Sequence, residues 1–264
     1  MTNLRNLVIR VRKKLFLAHS KSIFKRYISV VEARQLSVTI SRIFSREVTP
    51  QQIIKTARLI NQIENQMIGR IAGDIEDYIL NYYMVYFSAY LESDIKPAHA
   101  EIGVLFGGSL ILMLFALHNS GSDHAVIAID PLKGYYGENL DPVTNLPINR
   151  ATLDANLSKF NFLSSKVTII SAMSESAEAI ATTRNLRFGS LWIDGDHSYE
   201  GVKRDWENYS SLVVPGGYIH IDNYHDQMYH YPGIDRFVDG NLLPALKGWE
   251  LVGHLNRSIL FKKI

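Results

Sequence analysis

Cysteine is absent from all 264 residues. Disulfides and thiolate metal sites are thereby excluded, and any bound metal has to be held by oxygen or imidazole. Long apolar runs are also lacking. The longest, IGVLFGGSLILMLFAL at 102–117, falls short of the roughly 18 residues of a membrane span and has Gly107-Gly108 in its middle. It reads as a strand followed by a buried helix. No signal peptide is expected either, because the apolar residues near the N-terminus are broken by Arg10, Arg12, Lys13 and Lys14. A cytoplasmic protein is expected. Neither an internal repeat nor a low-complexity tract is present.

What the chain does have is an ordinary globular composition, 47% apolar and 20% charged. That suits one large α/β domain, or a domain with an appendage. The formal charge of +2 hides an asymmetry: residues 1–35 hold nine basic side chains against the single acid Glu32, which leaves the rest of the chain acidic. Leu4, Leu7, Val8, Val11, Leu15 and Ile23 recur in this arm near helical spacing. An amphipathic helix there has three outlets: packing on its own domain, packing on a second subunit of a homo-oligomer, or peripheral contact with an anionic membrane surface. Nucleic acid is not an expected partner, since the remainder of the chain is acidic.

Residues 1–96 read as helical, with Thr49 as an N-cap ahead of Pro50, and form an N-terminal region suited to a lid or an oligomer interface. After Pro97 the pattern changes to short β-rich runs alternating with helices, as in a parallel sheet covered on both faces. Strands are expected near 100–105, 125–130, 166–171, 189–194, 217–222, 249–255 and 258–263. The last two lie too close for a helical crossover and must form an antiparallel hairpin. The fold class is therefore α/β: a Rossmann-like, doubly wound, seven-stranded sheet over 97–264 with a helical N-terminal extension. The stretch 131–150, rich in Gly, Pro and Tyr, is long enough for a loop to be either functional or disordered.

The first strand ends in Glu101-x-Gly103-x-x-x-Gly107 and opens a helix, a turn that lets a ligand approach the backbone and the helix N-terminus. Position 105 is Leu, so the dinucleotide pattern G-x-G-x-x-G is not met. The second strand, AVIAIDP, ends in Asp130, placed to accept hydrogen bonds from two ribose hydroxyls. Glu101 would repel a pyrophosphate and attract a cationic ligand. S-adenosylmethionine, with its sulfonium and ammonium, fits better than a nicotinamide dinucleotide.

On these residues the chain resembles the class I S-adenosylmethionine-dependent methyltransferases over about 97–264. The resemblance implies that Glu101, Gly103 and Gly107 surround the methionine moiety, that Asp130 binds the ribose, and that Ala172 and Met173 contact adenine. An acid often present at that last position is missing here.

Two further strands sharpen the reading. SLWI runs into Asp194, and GGYIHIDNY, introduced by Pro215-Gly216-Gly217, ends at Asp222-Asn223. Parallel neighbours present their carboxyl ends on one edge, so these three side chains would converge as a hard oxygen site for Mg²⁺. The resemblance narrows to metal-dependent O-methyltransferases of the catechol and caffeoyl-coenzyme A kind, and especially to bacterial macrolide and sugar O-methyltransferases with DGDHSY. It implies a base at His197, three residues after the first metal ligand, and a sugar, glycoside or other small polar acceptor. Two alternatives stay open: a metal-independent methyltransferase of the same fold, and a catalytically silent binding or scaffold protein tethered by its basic arm. Asp196 reads as a helix-terminal charge. Tyr199, Asp205 and Trp206 read as packing or solvent contacts, and His225 and His230 as surface residues of a tyrosine-rich loop at 223–237. Tyr135 and Tyr136 read either as acceptor-pocket residues or as exposed loop aromatics.

Overall fold

The computed structural model describes residues 27–160, 166–227 and 230–264. Eight of the nine basic residues of the arm lie outside these, as does the membrane contact expected of it. Three helices come first: α1 (Val30–Phe44), α2 (Pro50–Gln66) and α3 (Ile75–Ser88). α1 and α2 both start in capping boxes, Ser29 with Glu32 and Thr49 with Gln52, each pair satisfying two orphan amides. In α2 the buried residues Ile53, Ala57, Ile60 and Ile63 recur every three to four positions and present one apolar stripe. α3 is buried on nearly all sides, carrying even Asp77 and Asn81 inward.

The remainder alternates. β1 (Ala98–Ile102) leads to α4 (Gly108–Asn119), β2 (Val126–Ile129) to α5 (Arg150–Lys159), and β3 (Val167–Ile170) to α6 (Ala177–Thr183). β4 (Phe188–Ile193) leads to α7 (Tyr199–Tyr209), and β5 (Val213–Ile221) to the short α8 (Pro232–Phe237). β6 (Trp249–Leu255) and β7 (Ser258–Lys263) close the chain. The seven strands are ordered β3-β2-β1-β4-β5-β7-β6, with β7 antiparallel to both its neighbours. This is the doubly wound sheet with an antiparallel terminal pair that the sequence pattern implies.

Each face of the sheet carries its own apolar cluster. On one side α1–α4 pack over Trp192 and Tyr218; on the other, Tyr209 of α7 and Ile234 and Phe237 of α8 cover Leu191, Ile193 and Ile221. The N-terminal helices thus share a continuous core with the sheet. One local detail differs from the sequence reading. Pro215-Gly216-Gly217 lies inside β5 as a bulge rather than before it, because pairing with β4 shifts between Phe188 and Ser190. A Cβ on Gly217 would sit 2.8 Å from the Gly189 carbonyl oxygen, so only glycine fits there.

The order β2-β1-β4-β5 brings the carboxyl ends of four parallel strands to one edge, at the point where strand order reverses. Asp130, Asp194, Asp222 and Asn223 gather there. No helix among the described residues is long and apolar enough to cross a membrane.

Candidate active site

A cavity of about 630 Å³ runs along this edge, from the end of β3 to the end of β5. Its floor is made by the turn after β1. Gly103 has φ +85°, and a Cβ there would meet the Asp194 carbonyl oxygen at 2.1 Å, so the ends of β1 and β4 approach each other only because residue 103 has no side chain. Asp130 stands beside this turn, its carboxylate accepting bonds from the amides of Val104 (2.8 Å) and Leu132 (2.7 Å). Burial raises its pKa and these amides oppose the rise. Ala172 and Met173 line the β3 end, with Met173 exposed.

Glu101 and Gly107 are placed differently. Neither lies on the cavity wall. Gly107 is the left-handed N-cap of α4, packed against Leu153. Glu101 is fully buried beneath the turn, and neither carboxylate oxygen has a donor in bonding geometry among the described residues. Desolvation holds its pKa well above the usual carboxylate range; Ser109 opposes this, and Asp194 and Asp130 add to it.

At the other end the cavity meets Asp194, Asp222 and Asn223 together. Asn223 has φ +59° and donates its amide to Asp226 at 2.8 Å, which leaves its Oδ1 as an acceptor. Burial pushes Asp194 and Asp222 each up to about 8; the charge of Asp194 adds to the rise at Asp222, and Arg257 lowers both. Two carboxylates this close need a shared proton or a cation between them. With the free amide oxygen, they form a donor set suited to a hard divalent ion. Among the described residues no group of three His, Cys, Asp or Glu converges to hold a metal, so an oxygen site here depends on the Asn223 amide.

Sequence reading missed the cation already in this corner. Arg257, in the turn between β6 and β7, is buried; its Nη1 lies 3.0 Å from Asp226 and its Nη2 3.4 Å from Asp77 of α3. The Ser258 hydroxyl joins the same network, 2.9 Å from Asp77 and 3.4 Å from Asp222. A charged residue in a hairpin turn is ordinarily solvated, and no local signal marks Arg257 or Asp77 as belonging to the site.

His197 faces the same corner, with Nε2 3.2 Å from Asp194 Oδ1 and Nδ1 2.9 Å from the Tyr136 hydroxyl. The Tyr136 hydroxyl also lies 3.1 Å from the Gly195 carbonyl oxygen; when its single proton goes there, His197 donates at Nδ1 and Nε2 carries the lone pair, facing an Asp194 carboxyl that burial keeps protonated up to about 8. Burial lowers the His197 pKa, against the pull of Asp222, Asp196 and Asp226, so the imidazole is neutral near pH 7. Tyr231, from the tyrosine-rich loop, packs its ring 4.3 Å from that of His197.

Other residues separate from the site. Asp196 accepts from the amide and hydroxyl of Ser198 at the start of α7, a turn role. His225 and His230 are exposed and off the cavity. The loop after β2 is ordered around Asp141, which Arg70 grips through Nε (3.1 Å) and Nη2 (2.8 Å). This pairing brings Tyr135 and Tyr136 to the cavity wall.

Residues 100–224 match the family described as a methyltransferase domain. Over 145 residues the chain is 32% identical to the uncharacterized protein R132 of Acanthamoeba polyphaga mimivirus, a match spanning 53% of this chain and 58% of that one. Among solved structures, the O-methyltransferase NovP superposes with a TM-score of 0.59 at 18% identity, covering 87% of this chain and 98% of that one. CalS11, a TDP-rhamnose 3'-O-methyltransferase of calicheamicin biosynthesis, gives 0.53 at 14%, covering 89% and 96%. The O-methyltransferase from Bacillus cereus, solved with S-adenosylhomocysteine, gives 0.51 at 14%, covering 89% and 100%. At these identities the structures speak for the fold, and the matched segment speaks for the domain. Residues 100–224 thus match a methyltransferase domain, and the chain around them has the fold of these O-methyltransferases.

Proposed function

We propose that this protein methylates a hydroxyl group of a small polar acceptor, a sugar or glycoside, using S-adenosylmethionine and Mg²⁺. One observation carries the reading: Asp130, the Asp194–Asp222–Asn223 trio and His197 all face a single cavity at the carboxyl edge of the sheet. The two ends of that cavity have different chemistry. At the β3 end Asp130 is placed for ribose hydroxyls, with Ala172 and Met173 beyond it for the base and Gly103 below for the methionine part. At the β5 end, acids and a neutral imidazole await an acceptor.

S-adenosylmethionine bound along this edge supplies an electrophilic methyl carbon and leaves as S-adenosylhomocysteine. Mg²⁺ held by Asp194, Asp222 and Asn223 would lower the pKa of an acceptor hydroxyl and fix its position. His197 takes the hydroxyl proton on Nε2, which the Tyr136 contact leaves unprotonated. Tyr136 holds the ring through Nδ1 while the charge develops. Tyr135, Tyr136 and Tyr231 wall off water, and their hydroxyls and faces suit a sugar better than an apolar guest. Alignment of oxygen, carbon and sulfur then accounts for much of the acceleration.

A metal-independent variant of the same reaction draws support from Arg257, which already neutralises part of the acid cluster. The two separate in a direct assay. Protein freed of metal with chelator is incubated with S-adenosylmethionine and a panel of nucleotide-activated and free sugars, with and without added Mg²⁺. Turnover that needs Mg²⁺ and is lost in Asp222→Asn supports the metal-dependent reaction. Undiminished turnover in chelator supports the Arg257 alternative, and S-adenosylhomocysteine binding with no turnover on any acceptor would point to a silent binding protein.

A further inference from the structure

The end of β3 lacks the acid that often reads adenine, yet an acid reaches the same place from another element. Asp205, in the second turn of α7, is 1% exposed. Its Oδ1 accepts a hydrogen bond from the Ser174 hydroxyl at 2.5 Å, while its Oδ2 has no donor among the described residues. Four residues on along the same helix face, Tyr209 donates its hydroxyl to the Ser174 carbonyl oxygen. α7 therefore clamps residue 174 twice, by side chain and by backbone. Ser174 itself lines the cavity, next to Met173 and on the β3 side of Asp130. Glu175 offers the hydroxyl only a long alternative acceptor, at 3.5 Å.

This clamp fixes which way the hydroxyl points while Asp205 is ionised, above the value of about 7 to which burial raises it. A serine hydroxyl has one proton and two lone pairs. With the proton committed to a buried carboxylate, the side facing the cavity presents only an acceptor. An exocyclic amino group satisfies it; a carbonyl oxygen in the same position faces lone pairs and finds no donor.

We propose that Asp205, by orienting the Ser174 hydroxyl as an obligate acceptor, selects a 6-aminopurine at this end of the cavity, in place of the acid missing from β3. The proposal rests on the S-adenosylmethionine reading and names Asp205 as a positioning residue for specificity. Burial of an acid with one free oxygen has a reason on this view, since a weaker acceptor would release the hydroxyl to rotate.

Binding calorimetry on the full chain provides the test, with no turnover required. The ligands are S-adenosylhomocysteine and S-inosylhomocysteine, which carries a 6-oxo group where adenine has 6-amino. The unaltered protein is expected to prefer the amino ligand about tenfold or more, the scale of one well-placed hydrogen bond. Ser174→Ala and Asp205→Ala should each cut that preference to less than about threefold, the first by removing the hydroxyl and the second by freeing it to turn. Ser174→Ala removes one partly buried hydroxyl and decides the matter even if Asp205→Ala fails to fold. Full preference retained in Ser174→Ala, or no preference in the unaltered protein, overturns the proposal while leaving the cofactor reading intact. Failure of the unaltered protein to bind either ligand sinks the cofactor reading and this inference with it.

Discussion

Tyr136 occupies a backbone conformation that costs a tyrosine about 1 kcal/mol or more. Its φ is +48° and that of Gly137 is +88°, and the flanking residues close the turn through Tyr135 N to Glu138 O at 2.6 Å. A hairpin turn with two positive φ values ordinarily takes Asn-Gly. Tyrosine at the first of these positions makes sense through its hydroxyl, which spans Gly195 and His197 and decides the imidazole tautomer. Tyr136→Phe keeps ring and backbone but frees Nδ1 to lose its proton. We expect kcat to fall about tenfold or more, a fraction of what general-base catalysis contributes. The Kd for S-adenosylhomocysteine should stay within about twofold, because the ligand's expected contacts lie at the far end of the cavity. A large rise in that Kd with kcat unchanged would show that Tyr136 serves cofactor binding instead.

The loop from 131 to 149 acts as a structural element although it has no helix or long strand. Isolated bridges join Lys133 to Asn149 and Leu140 to Pro147, and Asp141 at its centre is fully buried against Arg70. Burial pushes the Asp141 carboxyl up, but Arg70 and Thr144 more than reverse this and hold it below its usual range. Arg70→Met leaves that charge buried and unpaired, at a cost of about 3–5 kcal/mol. Urea unfolding should register the loss, and acceptor KM should rise because Tyr135 and Tyr136 ride on the same loop. Adding Asp141→Leu should restore part of the stability, short of full recovery because Asp141 also accepts from the Thr144 amide. A double variant no more stable than Arg70→Met would mean that the ion pair is not what holds the loop.

Elements of this kind mark the boundary of what the sequence discloses. The strands and the acids that end them follow from local periodicity, which is enough to set Asp130, Asp194, Asp222 and Asn223 on one edge. Asp141 and Arg70 lie 71 positions apart, and Arg257 and Asp77 180 apart. Such pairings are settled by how α3 and the final hairpin pack on the sheet, and nothing in the windows around them records it. Asp205 illustrates the same limit: on a helical wheel it is an ordinary charge, yet it is buried with its Oδ1 on Ser174, in the segment that follows β3.

At the scale of the whole molecule, this burial of acids sets the pH dependence of stability. Asp77, Asp194 and Asp222 have their pKa values pushed from 3.8 to about 8, chiefly by desolvation. A raised acid pKa means that the folded state holds protons the unfolded chain has released, so stability is present below about pH 4 and lost as pH climbs toward 8. Buried histidines act in the opposite sense. His99 and His220 are lowered by desolvation from 6.5 to about 3, with His124 adding to the shift at His99, so they disfavour the folded state as pH falls from 6.5 through 3. The two windows overlap from about pH 4 to 6.5, where three acids outweigh two histidines. The ligand-free, metal-free protein should therefore be most stable on the acid side of neutrality, and its Tm should decline from about pH 6.5 to 8.5. Saturating Mg²⁺ should flatten that decline, because a cation stabilises Asp194 and Asp222 in the ionised form, and its effect on Tm should be larger at pH 8 than at pH 5.5. Thermal unfolding across this range, with and without Mg²⁺, measures both. A Tm in chelator that rises steadily to pH 8.5 would mean that Arg257 alone compensates the acid cluster, and a Mg²⁺ effect independent of pH would place the ion elsewhere than between the two carboxylates.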